Sequence, residues 1–134
     1  AKLVHPERTV VSFNGDGCYM MHGQELATAV QYGVNTIFIV VNNGMYGTIR
    51  MHQEREYPGR VSATGLKNPD FAALARAYGA HGETVTRTAD FAPAFERAKA
   101  AGTPALIEIQ VDPEALTIAK SLSAIRETAL AEGR

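Results

Sequence analysis

The stretch "TIFIVV", residues 36 to 41, constrains the fold more than any other part of this chain. It is short, largely β-branched and apolar at every position after its opening threonine. A strand with one wet face alternates apolar with polar residues, so a run without that alternation has to be covered on both sides. The run therefore predicts a central strand of a parallel sheet, with helices above and below it. The remaining sequence is consistent with that requirement. Thr9 to Asn14 reads as a second buried strand, Gly15 to Gly17 as a turn, and His22 to Tyr32 as a helix with Leu26, Ala29 and Val30 on one face and Gly33 as its stop. Asn42-Asn43-Gly44 ends the central strand, Tyr46 to Glu56 forms a short helix, and a loop with Pro58, Gly59 and Gly65 follows. Asn68-Pro69-Asp70 opens a helix over 71 to 79, residues 80 to 86 suit a strand, and Asp90 to Ala101 is a helix closed by Gly102. Residues 104 to 111 alternate into a last strand, and 121 to 132 read as an amphipathic helix. This order predicts an α/β fold, a parallel sheet with helices on both faces.

Composition narrows the function. The chain has 134 residues, enough for one domain, and a formal net charge of -1, which offers no basic face to nucleic acid or anionic lipid. Its one cysteine, Cys18, excludes an internal disulfide and a multi-cysteine zinc site. The longest strongly apolar run is too short to span a bilayer. The opening "AKLVHPERTVV" has no charged-then-apolar signal pattern, so a cytoplasmic protein is expected. Ala1 to Val4 read as the last turn of a helix that Pro6 terminates, which points to a piece of something longer.

Both polar turns, Gly15-Asp16-Gly17 and Asn42-Asn43-Gly44, fall at the carboxyl ends of strands, where ligands bind in sheets of this kind. Gly17 lets backbone pass close to a ligand, and a following helix offers N–H groups and the positive end of its dipole to an anion. Asp16 would repel that anion unless a cation lay between them. Mg²⁺ meets the case, since it takes one or two hard protein oxygens together with phosphate oxygens and water. Asn43 can add an amide oxygen, and a backbone carbonyl just beyond it, most simply that of Met45, a third ligand. Either turn alone is common turn chemistry. Two other phosphate motifs are absent: Met20 stands where G-x-G-x-x-G would need its last glycine, and no P-loop occurs.

Gly15-Asp16-Gly17, a 24-residue spacer and Asn42-Asn43 together resemble the cofactor motif of the thiamine diphosphate-dependent enzymes. The likeness covers essentially the whole chain, as the later part of the C-terminal diphosphate-binding domain. "QELATA", 24 to 29, is similar to acetolactate synthases, and "NNGMYGTIR", 42 to 50, is closer to benzoylformate decarboxylase. The resemblance implies that Asp16, the Asn43 side chain and the Met45 carbonyl ligate Mg²⁺. It also implies that Gly15, Gly17 and Cys18, with Gly44, Tyr46 and Gly47, border the diphosphate. The implied activity is decarboxylation of 2-oxo acids or their joining to a second carbonyl compound, in a homodimer or homotetramer. The family's activating glutamate belongs to an N-terminal pyrimidine-binding domain. That domain, the central domain, and the first strand and helix of the diphosphate-binding domain are expected outside these residues. The tryptophan that acetolactate synthases usually carry after Asn-Asn is missing.

Other reactive residues have plainer readings. Glu25 sits within "GQEL" and reads as structural, and Cys18 reads as a neighbour of the diphosphate because no base stands beside it. His22 and His52 are candidates for the substrate side, whereas His5 and His81 read as solvated. Arg50, Arg55 and Arg60 among Glu54 and Glu56 read as a solvated helix face, with Ile49 and Met51 as packing. Two alternatives stay open: a non-catalytic cofactor-binding or regulatory domain, and an unrelated Mg²⁺-dependent phosphate-binding α/β enzyme.

Overall fold

Each apolar segment becomes a strand, and all four run parallel in one sheet: β1 (Val11–Gly15), β2 (Ile37–Asn42), β3 (His81–Val85) and β4 (Ala105–Gln110). The order across the sheet is β1-β2-β4-β3, in a computed structural model that describes residues 1–134. β2 is central, as its apolar run demands. β4 is inserted between β2 and β3, so its first four residues are buried and it does not alternate as expected from sequence. Gly15 lies opposite Val41 and Asn42 opposite Gln110, which brings the carboxyl ends of β1, β2 and β4 to one edge.

Six helices complete the chain: α1 (Asp16–His22), α2 (Glu25–Gln31), α3 (Gly47–Glu56), α4 (Phe71–Ala77), α5 (Thr88–Ala100) and α6 (Leu122–Ala131). Tyr19, Leu26, Phe71 and Ala75 from α1, α2 and α4 pack with Val40 and Leu106 on one face of the sheet. Ala94 and Ala98 of α5 pack with Ile37, Ile39, Val85, Ala105 and Ile107 on the other. Helices on opposite faces are what right-handed crossovers produce when the chain steps from β2 past an empty place to β3 and then returns to β4.

The region after β1 departs from the sequence reading. Gly15-Asp16-Gly17 is not a turn: Gly15 is the extended N-cap of α1, and Asp16 is already helical. An acidic residue in the first turn suits the helix dipole there. The helix expected over 22–32 is α2, which starts only at Glu25, and a separate helix, α1, precedes it and ends at its C-cap, Gly23. A Cβ on Gly23 would lie 2.7 Å from the Tyr19 ring, so the ring's seat requires glycine. Glu25 consequently opens α2 and is exposed, where the sequence placed it mid-helix.

The chain divides into two compact units. The first, residues 1–42 and 68–110, holds the sheet with α1, α2, α4 and α5. The second, residues 43–67 and 111–134, holds α3 and α6. In the second unit Glu54 is 1% exposed, not solvated as expected, because charge partners converge on it. Arg50 donates to its Oε1 from Nε at 2.9 Å and Nη2 at 2.6 Å. Arg126 donates from Nε to Oε2 and from Nη2 to Oε1, both at 2.7 Å, and the Gly59 N–H donates to Oε2 at 2.9 Å. The Arg126 hydrogen bonds, ahead of those from Gly59 and Arg50, hold the Glu54 carboxyl down at about 2 against the opposing effect of burial. Ile49, expected to pack, is instead 56% exposed.

Candidate functional site

Asp16 sits where β1 runs directly into α1, and the residue is 3% exposed. Burying a carboxylate is costly unless its oxygens are hydrogen-bonded, and here both are held. The Gly17 N–H donates to Oδ1 at 2.9 Å, and Nδ2 of Asn68 donates to Oδ2 at 2.7 Å. Asn68 comes from the segment just before α4. Sequence reading assigned that segment only a helix entry, which Asp70 does provide by accepting the Ala73 N–H at 2.7 Å.

The same Asn68 amide nitrogen donates at 2.9 Å to Oδ1 of Asn42, the last residue of β2. Nδ2 of Asn42 in turn donates to Oε1 of Glu108 at 2.7 Å, and the Thr84 hydroxyl donates to Oε2 of Glu108 at 3.0 Å. Glu108 is buried on β4. Two carboxylates, on β1–α1 and β4, are thus joined by two amides along one edge of the sheet. Every hydrogen in the chain points from an amide or hydroxyl toward an acceptor. Glu108 and Asn68 were not legible as site residues: the first reads as one wet position of an alternating strand, the second as a helix boundary.

Beneath this edge, the Tyr19 ring stacks edge-on against Phe71 and Phe38, with centroids 5.6 and 6.4 Å away. Burial, with Tyr78 adding to it, pushes the Tyr19 hydroxyl up to about 12, so it stays protonated and donates to the Gly23 carbonyl at 3.3 Å.

Asn43, Gly44, Met45, Tyr46 and Gly47 belong to the second unit. There Oδ1 of Asn43 accepts the Met45 N–H at 3.1 Å. Met45 pairs with Gly65 in an isolated antiparallel bridge, closed by Tyr46 N–H to the Thr64 carbonyl at 2.9 Å and Leu66 N–H to the Gly44 carbonyl at 2.8 Å. In such a pair the bonds belong to the flanking residues, so the Met45 carbonyl is turned away from the bridge. Gly47 opens α3, and a Cβ there would lie 2.8 Å from Nδ2 of Asn43 and 2.9 Å from Leu116. Glycine at 47 therefore leaves room for the Asn43 amide.

The other candidates are more dispersed. Cys18, His22 and His52 are exposed, and Tyr46 is 37% exposed. His81 is not simply solvated: its Nε2 lies 2.7 Å from Oε1 of Glu83, a carboxylate held below its usual range chiefly by Arg97. No group of three or more His, Cys, Asp and Glu residues is placed to hold a metal. No helix is long and apolar enough to cross a membrane.

A parallel sheet with helices on both faces, closed at one edge by the buried Asp16, is the fold that known proteins share with this chain. Residues 1–109 match the family model "Thiamine pyrophosphate enzyme, C-terminal TPP binding domain", and the chain belongs to that family. It is 37% identical over 113 residues to a probable acetolactate synthase of Mycobacterium bovis, covering 84% of this chain and 21% of the relative. It is 48% identical over 79 residues to the acetolactate synthase large subunit of Haemophilus influenzae, covering 58% of this chain and 14% of the relative. Among solved structures, the thiamine diphosphate-dependent 4-hydroxybenzoylformate decarboxylase of Rhodococcus jostii superposes with a TM-score of 0.77 at 35% identity, covering 84% of this chain and 21% of that one. Benzoylformate decarboxylase of Polynucleobacter necessarius gives 0.76 at 26% identity with the same coverage. The chain thus spans about a fifth of the length of the Mycobacterium bovis relative.

Proposed function

We propose that this chain holds the diphosphate end of thiamine diphosphate through Mg²⁺, within an enzyme that decarboxylates 2-oxo acids or joins them to a second carbonyl compound. The observation that carries the reading is Asp16: a buried carboxylate, gripped on both oxygens, between two glycines at the carboxyl end of a parallel strand. The donors this reading assigns are all hard oxygens, the Asp16 carboxylate, the Asn43 amide oxygen and the Met45 carbonyl, which is the chemistry Mg²⁺ prefers. The geometry inside the second unit supports it, because the Met45 carbonyl faces away from its bridge and Gly47 leaves space beside Asn43.

Bound thiamine diphosphate supplies the nucleophilic carbon and the electron sink that loss of CO₂ from a 2-oxo acid requires. The residues of this chain bind and orient. Asp16 and Asn43, with the Met45 carbonyl, would hold the cation that neutralises the diphosphate, and Gly15, Gly17 and Cys18 with Gly44, Tyr46 and Gly47 would border it. The carboxylate that activates the aminopyrimidine comes, on this reading, from a domain outside these residues, and the working enzyme is a homodimer or homotetramer. Relatives named for acetolactate synthesis and for decarboxylation of benzoylformate and 4-hydroxybenzoylformate support the 2-oxo acid class.

Calorimetric titration of the full-length protein with thiamine diphosphate, with and without Mg²⁺, tests this. Binding should need the metal and weaken in Asp16→Ala, a ligand lost outright, by more than the roughly 10- to 100-fold typical of losing an outer partner. Undiminished binding in that variant sinks the metal assignment. Binding of nucleotides or phosphosugars in place of thiamine diphosphate sinks the cofactor assignment.

A further inference from the structure

The metal-binding reading rests on Asp16 and does not explain why an asparagine from the α4 entry reaches 52 positions back to it. Nor does it use Asn42, the first of the two adjacent asparagines. We infer that Asn68 is a positioning residue for the metal–diphosphate site, aligning the Asp16 carboxylate through a relay anchored on Glu108. The inference deepens the proposed function and depends on it.

The hydrogen-bond polarity carries the inference. A primary amide has two hydrogens on one nitrogen and acceptor capacity on its oxygen. Asn68 points its nitrogen at two oxygens, Oδ2 of Asp16 and Oδ1 of Asn42. Turning that amide over would set its carbonyl oxygen against both acceptors, so one orientation is imposed. Asn42 is fixed by the same logic, because its oxygen faces the Asn68 nitrogen while its own nitrogen faces Glu108. Glu108 sets the direction at the far end by accepting on both oxygens, from Asn42 and from Thr84.

The consequence concerns geometry at the metal. Mg²⁺ demands near-ideal octahedral placement of its ligands, and a lone carboxylate on a short helix could rotate about its side-chain torsions. The relay ties Oδ2 of Asp16 to β2 and β4, so the orientation of the ligand is set by the sheet. Partners of this kind, one step outside the ligands, typically change metal affinity by about 10- to 100-fold when removed.

The test uses the full-length protein and titrates Mg²⁺ by calorimetry at saturating thiamine diphosphate. Metal affinity of wild type, Asn68→Ala, Asn68→Asp and Asp70→Ala is compared, together with a thermal melt of each. Asp70→Ala removes the α4 cap next door without touching the relay, so it measures the effect of merely loosening that segment. The expected result is a loss of about 10- to 100-fold in Mg²⁺ affinity for Asn68→Ala. Asn68→Asp, which keeps the shape but puts an acceptor where the donor stood, should lose at least as much. Asp70→Ala should lower the melting temperature with Mg²⁺ affinity within about twofold of wild type. Should Asn68→Ala not fold, Asn68→Asp carries the comparison. Equal Mg²⁺ affinity in wild type and the Asn68 variants overturns the inference, as does an equal loss in Asp70→Ala. If wild type itself binds neither Mg²⁺ nor thiamine diphosphate, the proposed function has failed instead.

Discussion

The two units of this chain bury different kinds of interior. In the sheet unit both apolar clusters pack against the strands, and its buried acids, Asp16 and Glu108, sit at one edge in a hydrogen-bonded relay. In the unit of α3 and α6 the largest fully buried side chain is charged, Glu54, and two arginines close over it. An apolar core depends on area and close packing. A buried ion cluster depends on every partner being in place, because removing one leaves a charge without compensation. The first unit should therefore fail by cavities and the second by lost charge.

The strongest way to break the contrast is Phe71→Ala, which removes a fully buried ring from the α4 face of the sheet. The expected cost is about 4 kcal/mol, read by denaturant unfolding, with amide exchange rising in β2 and β4. Glu54→Ala comes next, at about 3 kcal/mol, since the Arg50 and Arg126 heads keep some access to water. Its exchange should rise in α3 and α6. An increase confined to the sheet would show that the ion cluster does not hold that unit.

Acid sharpens the same comparison. The folded Glu54 carboxyl lies at about 2 against an ordinary 4.5, so its contribution is complete above pH 4.5 and is lost as the pH falls toward 2. Melting temperatures of wild type and Glu54→Gln, measured from pH 6 down to pH 3, should converge; parallel curves would contradict the assignment. The smallest effects expected are at the two side-chain caps, one per unit. Asp70→Ala on α4 and Ser121→Ala on α6 should each cost about 1 kcal/mol.

How far sequence reaches here depends on the range of each interaction. The strands and most helices were legible because their signals are local: β-branched runs, a helix entry at Asn68-Pro69-Asp70, and glycines at helix ends. The need for glycine at 23, between α1 and α2, was not, because it arises from where the Tyr19 ring lands against Phe71 and Phe38. Glu54 looked solvated because Arg50 four residues earlier reads as an ordinary surface pair, while its other partner, Arg126, lies 72 positions away. The Gly-Asp-Gly and Asn-Asn halves of the candidate site carried their own spacing. Asn68 carried none, since one residue type serves equally as a helix boundary and as a double donor.

The position of β4 also bears on how the chain is made. It follows β3 in sequence yet lies between β2 and β3. During synthesis the edges of β2 and β3 that pair with β4 stay open until Ala105–Gln110 has left the ribosome. At about 5 to 20 residues per second, that interval lasts on the order of a few seconds. Unpaired edges of this kind are where nascent chains associate wrongly, so β2 and β3 are most exposed to mispairing in the interval before β4 arrives.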